Sequence, residues 1–159
     1  MVNAIKIEKM KHIIQRIAQL FLIAVFIIGP VSCNKDSNTL IPWVPVSIQI
    51  SLANHIDLNA PGGYIYFPDQ GYAGIIVYCV DNVSQQYYAF DAACTHDVSK
   101  NCSLLTKGAI EGNIATCPCC GSKYILFGGG YVLNGPAKDP LKQYNVQILN
   151  GGNNLRIYN

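Results

Sequence analysis

The sequence predicts an all-β fold, and three observations support that prediction. Beyond residue 40 the apolar residues fall in short runs rich in Val, Ile, Tyr and Phe, which is typical of strands. Gly, Pro, Asn and Asp separate these runs and mark turns. No stretch of this part of the sequence has the apolar period of an amphipathic helix.

The expected strands follow one another at short intervals along the chain. They cover residues 41–50, 64–67, 74–80, 87–90, 109–110, 123–126, 131–133, 143–149 and 155–158. The glycines at 128–130 lack the lysine and the helix of a phosphate-binding loop, so we expect a hairpin turn there. Cys79 lies inside an apolar strand and is expected to be a small buried residue. Many of the ten tyrosines fall in these runs, and we expect most of them to pack in the core or across strands.

The composition excludes several classes of protein. The 159 residues have the size of one domain with a tail. Hydrophobic residues make up 50% of the chain and charged residues 13%, which excludes disorder and a coiled coil. Residues 1–33 carry four basic side chains and one acidic one, and the remainder carries seven and eight. The body is therefore nearly neutral, and nucleic acid is not an expected partner.

The N-terminal segment has the pattern of an export signal. Four basic residues precede the apolar run 20–28, which Gly29 and Pro30 end before small residues lead to Cys33. This order is typical of a secretory signal over residues 1–32. The run is shorter than the about 20 residues that span a bilayer. An uncleaved membrane anchor is the alternative, because the basic segment is long.

Cys33 indicates a lipid anchor. A Cys after a small residue at the end of such a run resembles a bacterial lipobox, although Pro30 stands where that motif usually has Leu. We expect residues 33–42 to be a lipidated Cys and a polar tether, with acyl chains sufficient for stable anchoring. The protein would then face the periplasm or the exterior from the cell envelope. The alternative is a free Cys within the signal. The basic segment has no adjacent pair of arginines, so twin-arginine export is not indicated.

The remaining cysteines form two motifs with the spacing of a metal site. Cys94 and His96 form a Cys-x-His, and Cys117 and Cys120 form a Cys-x-x-Cys that contains Cys119. Two loops that each offer two soft ligands predict a metal centre. The spacing alone is equally compatible with zinc and with an iron–sulfur cluster.

These motifs resemble the two cluster loops of a Rieske iron–sulfur domain. The family pattern is Cys-x-His followed by Cys-Pro-x-His-Gly-Ser-x-aromatic, and residues 94–96 and 117–124 are similar to it. Residues 135–141, Gly-Pro-Ala-Lys-Asp-Pro-Leu, are similar to the family's loop that covers the cluster. The resemblance extends over roughly residues 43–159. It implies a Rieske-type fold of stacked antiparallel sheets, with a small cluster-binding subdomain near residues 92–138.

The chain departs from the family at Cys120, where the family has its second His. Carried over position by position, the resemblance implies that Cys94 and Cys117 hold the inner iron of a [2Fe-2S] cluster, and that His96 and Cys120 hold the outer one. A thiolate in place of a neutral imidazole adds negative charge. We therefore expect a lower reduction potential and one fewer protonation site than in a two-His centre.

The resemblance also implies a disulfide between the two loops. Many Rieske proteins join them through the middle Cys of the second motif and a Cys after the first, here Cys119 and Cys102. Such a bridge suits a location outside the cytoplasm. In the alternative, Cys102 replaces His96 as a ligand, and the resulting four-thiolate site is better suited to zinc.

The resemblance implies an electron carrier with an unidentified redox partner in the envelope. No hydrolytic constellation is visible, and Asp91 and Asp97 beside the first motif are expected to be solvated caps or turn formers. Clusters are normally built in the cytosol, whereas the chain lacks the signal that exports folded proteins. The alternative is therefore a cluster-free lipoprotein of the same fold, stabilised by disulfides or Zn²⁺, with a binding or assembly role.

Overall fold

The computed structural model describes residues 40–99 and 101–159, together with residues 11, 15, 16 and 19, which are helical. The chain divides into two compact units, Met1–Ser37 and Asn38–Asn159. The predicted lipidation site Cys33 and the apolar run 20–28 lie outside the described residues. Among the residues that are described, no helix combines the length and the apolar character needed to cross a bilayer.

The all-β prediction is confirmed for the described part of the second unit, which holds two antiparallel sheets. The strands are β1 (Ser47–Ser51), β2 (Tyr64–Phe67), β3 (Ile75–Asp81), β4 (Gln86–Asp91), β5 (Ile110–Glu111), β6 (Ile114–Thr116), β7 (Lys123–Ile125), β8 (Tyr131–Asn134), β9 (Gln143–Leu149) and β10 (Asn154–Tyr158). Short 3₁₀ helices occupy Leu52–Asn54, Ile56–Asn59, Lys107–Ala109 and Asn150–Gly152.

The larger sheet has the order β1-β10-β9-β4-β3-β2, and the smaller one has the order β5-β6-β7-β8. Strands β4 and β9 pair at Ala89–Tyr144 and Phe90–Gln143, and this pairing joins the two halves of the larger sheet. The smaller sheet and the connections around it contain both cysteine motifs.

Strand β3 is buried on both faces and separates two hydrophobic cores. Because side chains alternate along a strand, Ile75, Val77 and Cys79 enter one core. Ile76 and Tyr78 enter the other core, together with residues of the smaller sheet. The cluster loops are thus attached to a packed base, and the expectation that Cys79 is a buried small residue is confirmed.

Two strand predictions differ from the structure for physical reasons. Strand β1 begins at Ser47 and not at residue 41, because Pro42 and Pro45 have no N–H for a ladder. Strand β6 was not predicted, since its three residues are too short to show a period. The glycines at 128–130 lie in the turn between β7 and β8, as expected.

Candidate metal centre

Three loops form the candidate site. The first ligand loop, residues 94–103, follows β4, and the second ligand loop, residues 117–122, connects β6 to β7. The covering loop, residues 135–141, connects β8 to β9. All of the cysteines other than Cys33 and Cys79 lie on one of the two ligand loops.

A buried carboxylate holds the start of the first ligand loop. Asp91 is fully buried and accepts hydrogen bonds from the N–H groups of Tyr72 (2.8 Å), Ala73 (3.2 Å) and Ala93 (3.0 Å). The Tyr144 hydroxyl also donates to it at 2.7 Å. The expectation that Asp91 is a solvated cap is therefore wrong, because four donors replace its water. We call these five residues the Asp91 network.

Backbone hydrogen bonds close both ligand loops at their bases. In the first loop the Cys94 N–H donates to the Ser103 carbonyl at 2.9 Å. In the second loop the Cys117 N–H donates to the Ser122 carbonyl at 2.8 Å, and the Gly121 N–H donates to the Cys117 carbonyl at 2.9 Å. Gly121 has φ of 72°, a left-handed conformation that glycine adopts without strain. Each ligand loop is thereby closed by hydrogen bonds between its own two ends.

The covering loop is attached to both ligand loops. The Ala137 N–H donates to Ser122 Oγ at 3.0 Å, and the Thr95 hydroxyl donates to the Asp139 carbonyl at 2.6 Å. Gly135 passes so close to the second loop that a Cβ atom there would lie 2.5 Å from Ser122 Cα. A side chain at position 135 would therefore push the covering loop away from the site.

The fold brings three of the four predicted ligands together. The sulfur atoms of Cys94, Cys117 and Cys120 all lie within 4.8 Å of one another. Cys94 Sγ and Cys120 Sγ, on different loops, are 3.6 Å apart. Cys94 and Cys117 are buried, whereas Cys120 is partly exposed. The group therefore has two inner thiols and one outer thiol.

Hydrogen-bond donors surround two of these sulfur atoms. The Tyr124 hydroxyl oxygen lies 3.2 Å from Cys94 Sγ, and the His96 backbone N–H also faces that sulfur. The Cys120 thiol donates to Ser122 Oγ at 3.1 Å, and the Ser122 backbone N–H faces the Cys120 sulfur. Ser122 Oγ also accepts from the Ala137 N–H, so its own proton can be donated to Cys120 once that thiol is ionised.

The pKa values of the Cys94 and Cys120 thiols are shifted in opposite directions. Burial raises the pKa of the Cys94 thiol to about 11, although the Tyr124 hydroxyl and the His96 N–H oppose the change. Burial also disfavours ionisation of Cys120, but hydrogen bonds from Ser122 and from the neighbouring thiols outweigh it and lower the pKa of Cys120. Cys120 is therefore the first of the two to ionise.

Tyr124 connects the first ligand loop to the smaller sheet. It is fully buried, and its hydroxyl accepts from the Thr95 N–H at 3.1 Å and lies 3.0 Å from Thr95 Oγ1. Burial, followed by the hydrogen bond with Cys94, raises the pKa of Tyr124. The hydroxyl therefore stays protonated and can serve as a donor to the ligand sulfur.

His96 stands apart from the three thiols. Its side chain is exposed, and it does not belong to the group of potential ligand atoms found among the described residues. Its role as the fourth ligand stays a prediction.

The predicted disulfide between the two ligand loops is present. Cys102 and Cys119 are bonded, with their Cα atoms 5.2 Å apart, which is normal for a disulfide. The alternative in which Cys102 serves as a fourth thiolate ligand is wrong, because its sulfur is already bonded to Cys119.

The residues present fit a [2Fe-2S] cluster. Three ionised thiols at these distances would repel one another strongly unless cations such as iron neutralise them. Hydrogen-bond donors that face a sulfur atom also stabilise a thiolate more than a neutral thiol. Cys94, Cys117 and Cys120 would supply three ligand atoms, and the chain continues from Cys94 to His96, which could supply the fourth.

Comparison with known proteins identifies the family. The family model described as Rieske [2Fe-2S] domain matches residues 62–145, which is more than half of the chain. The chain therefore belongs to the Rieske [2Fe-2S] domain family. Family membership implies a [2Fe-2S] cluster and an electron-transfer module.

Solved structures with partial similarity include a complex of reduced oxygenase and oxidized ferredoxin in carbazole 1,9a-dioxygenase, at 23% identity and a TM-score of 0.48. That match covers 69% of this chain and 99% of the other. The plasma membrane Rieske protein PetC3 from Synechocystis PCC 6803 matches at 25% identity, covering 72% and 98%, with a TM-score of 0.48. A ferredoxin from Sphingomonas yanoikuyae B1 matches at 25% identity, covering 63% and 88%, with a TM-score of 0.44. A search of curated protein sequences returns no match.

The sequence did not predict the hydrogen-bond donors around the sulfurs. Tyr124 and Ser122 belong to the second motif, but their contacts with ligand sulfurs depend on how the loops meet. Their position directly after the Cys-x-x-Cys was the one available signal. Thr95 carried none, because its partner Asp139 lies 44 residues away.

Proposed function

We propose that the protein is a lipid-anchored one-electron carrier of the cell envelope, with a [2Fe-2S] cluster held by Cys94, His96, Cys117 and Cys120. The convergence of three sulfur atoms within 4.8 Å, on loops of a Rieske domain, is the observation that carries this proposal. The bound cluster would accept and donate one electron. The residues around it bind it, orient it and limit its contact with water.

The burial of the ligands supports an arrangement with an inner and an outer iron. Cys94 and Cys117 are buried and suit the inner iron. Cys120 is partly exposed and the His96 side chain is exposed, which suits ligands on the outer iron. An electron would then leave or enter through the face that presents His96, where a redox partner protein can approach.

The third thiolate distinguishes this centre from one with two His ligands. It adds a negative charge to the cluster, and every added negative charge disfavours the reduced state. The Ser122 N–H faces Cys120, and the Ser122 hydroxyl, 3.1 Å from the sulfur, would donate to the ionised Cys120 and so offset part of that charge. We expect a reduction potential below that of a two-His Rieske centre.

The proposed location depends on residues 1–33. The basic segment, apolar run and Cys33 support export and lipidation, after which a polar tether would connect the membrane to the domain. The test is mass analysis of the mature N-terminus. A diacylated Cys33 is expected, and Cys33→Ala should release the domain from membranes. An unmodified chain that retains residues 1–32 would contradict this part of the proposal.

The decisive test of the redox proposal is iron and acid-labile sulfide analysis of the protein isolated from its own membrane. We expect about two irons per chain and a rhombic EPR signal on reduction. Cys117→Ser should abolish the visible absorption. Cys119→Ser should leave a fresh cluster that is less persistent, because the loops lose their disulfide. Loss of all iron in Cys119→Ser would show that the ligand assignment is wrong.

A cluster-free protein with a binding or assembly role is a second candidate. The disulfide and the covering loop hold the two ligand loops together through protein bonds alone, which favours this candidate. It predicts no iron and ligand-loop thiols that are largely oxidised. One zinc per chain would instead indicate a structural metal site.

A further inference from the structure

Cys94 and Cys120 form a pair that the two-loop design of the site places in direct contact. Their sulfur atoms are 3.6 Å apart, although the residues are 26 positions apart in sequence. A disulfide needs a sulfur–sulfur distance of about 2.05 Å, so side-chain rotation and a small loop movement would close the gap. Cys120 stands where the Rieske family pattern has a His, so the pair arises from the departure of this chain from its family.

The surrounding structure holds the two loops that carry Cys94 and Cys120 together. The Cys102–Cys119 disulfide joins the same two loops, and Cys119 directly precedes Cys120. The covering loop is hydrogen-bonded to Thr95, which follows Cys94, and to Ser122, which lies two residues after Cys120. These bonds limit the conformational entropy that a second bridge between the loops would cost.

The two thiols differ in access. Cys94 is fully buried, whereas Cys120 is partly exposed. Cys117, the third thiol of the group, is also buried. An external reagent therefore meets Cys120 first, and the Ser122 hydroxyl 3.1 Å from its sulfur is placed to donate to the thiolate. Cys94 is placed to react second, with Cys120 itself.

We propose that Cys120 and Cys94 act as a reversible dithiol–disulfide couple when the chain carries no metal. The Cys120 thiolate attacks one sulfur of an external disulfide, whose S–S bond breaks, and one half leaves as a thiolate that takes up a proton. Cys94 then loses its proton and attacks Cys120 Sγ, which expels the second half as a thiol. The two protein thiols lose two electrons and two protons, and the external disulfide gains them.

The couple and the metal site exclude each other. The new bond uses two of the three sulfurs that would bind iron, so the oxidised chain cannot hold the proposed cluster. Oxidation would thereby determine whether the site is open to metal. This inference does not depend on the proposed electron-transfer function, because it concerns the metal-free chain.

The test uses the full-length chain in detergent, freed of metal by a chelator. Samples are equilibrated in reduced and oxidised glutathione over a series of ratios, then alkylated and mapped by peptide mass spectrometry. We expect a Cys94–Cys120 disulfide that appears and disappears with the glutathione ratio. Cys120→Ser should abolish it, whereas Cys79→Ser, a matched buried cysteine in β3, should leave it unchanged.

A second variant keeps the test decisive if Cys120→Ser misfolds. Cys94→Ser removes the second thiol, so a stable mixed disulfide of glutathione with Cys120 should accumulate. The proposal is overturned if Cys94 and Cys120 stay reduced while Cys102–Cys119 forms, or if Cys120 pairs with Cys117. Iron in a chain without the couple would refute this inference alone, and the couple in a chain that never holds iron would refute the proposed function alone.

Discussion

Two buried tyrosines lie in two regions of the domain: the Asp91 network, which we call the base, and the three thiols with their loops, which we call the site. The two regions differ in whether the protein alone satisfies their polar groups. The Tyr144 hydroxyl donates to Asp91 in the base, and the Tyr124 hydroxyl faces Cys94 in the site. Burial raises the pKa of both phenols. The charge of Asp91 is satisfied by four protein donors, so the base is complete as it stands. The three thiols converge within 4.8 Å, so the site can bind a metal or form a further disulfide. Both regions therefore contribute to stability, but only the thiols of the site are available for chemistry.

The largest effect is expected in the base. Asp91→Ala leaves three N–H groups and one hydroxyl without their acceptor. The hydrogen bonds from the Ala93 N–H and the Tyr144 hydroxyl are buried, and each buried unsatisfied donor costs about 1–3 kcal/mol. We expect the free energy of unfolding to fall by about 4 kcal/mol, measured by urea denaturation. Asp81→Ala removes a carboxylate at the end of β3 whose donors come from the nearby Val83 and Ser84, and it should lower the free energy of unfolding much less. Equal losses in the two variants would contradict the role of the Asp91 network.

The disulfide between the ligand loops is expected to have the next largest effect. Cys102 and Cys119 are 17 residues apart, and a loop of that length corresponds to about 3 kcal/mol of stabilisation. Cys102→Ser and Cys119→Ser should each lower the free energy of unfolding by up to that amount. The double variant should lose no more than either single one. Additive losses would show that the cysteines act separately.

Alkaline pH should distinguish the two ligand thiols in the metal-free chain. Since the Cys94 pKa is raised to about 11, the unfolded chain releases that proton first as pH rises, and the free energy of unfolding falls. The loss between about pH 9 and 11 is at most about 3 kcal/mol, and Cys94→Ser should remove it. Cys120, with its lowered pKa, has the opposite sign: its contribution is present above the unfolded pKa and is lost as pH falls through the folded one.

The buried phenols make that pH test more specific. The raised pKa values of Tyr124 and Tyr144 predict a further loss of stability at still higher pH. Tyr124→Phe and Tyr144→Phe should each remove a part of it. Urea denaturation at a series of pH values measures all of these slopes. A slope in Cys94→Ser equal to that of the wild type would contradict the assignment to Cys94.

The smallest expected effect is a shift of the midpoint potential, which should differ between variants of the two tyrosines. Tyr124→Phe removes a donor to Cys94, which should disfavour the reduced cluster. A difference of about 1 kcal/mol corresponds to roughly 40 mV for one electron, so the midpoint potential should fall by an amount of that order. Tyr144→Phe should destabilise the fold by about 1 kcal/mol and leave the potential unchanged. Equal shifts of potential would show that the base and the site are not separate.

The sequence predicts the strands well where apolar residues alternate and poorly where elements are short. Strands β2, β3 and β9 coincide with runs of β-branched and aromatic residues. Strand β6 has only three residues, which are too few to show an alternation of apolar and polar side chains. Local propensity suffices for the first group, since each run carries its own signal. The position of β6 depends on pairing with β5 and β7.

The convergence of three cysteines could be predicted from the sequence, whereas the residues around them could not. Ordered motifs identify Cys94, Cys117 and Cys120, and the bridge from Cys102 to Cys119 follows from the family resemblance. The burial of Asp91 could not be predicted, because its partner Tyr144 lies 53 residues away. Contacts of this kind arise from tertiary packing and leave no pattern in a single sequence.

Nitrogen hyperfine spectroscopy of the reduced full-length protein, isolated from its own membrane, tests the proposed ligand set most directly. Three cysteines and one histidine predict a rhombic [2Fe-2S] signal coupled to a single imidazole nitrogen. Selective labelling of histidine with ¹⁵N should shift that coupling, and His96→Ala should remove it. Two coupled nitrogens, no coupled nitrogen, or a reduced protein without any iron–sulfur signal would contradict the assignment of Cys94, His96, Cys117 and Cys120.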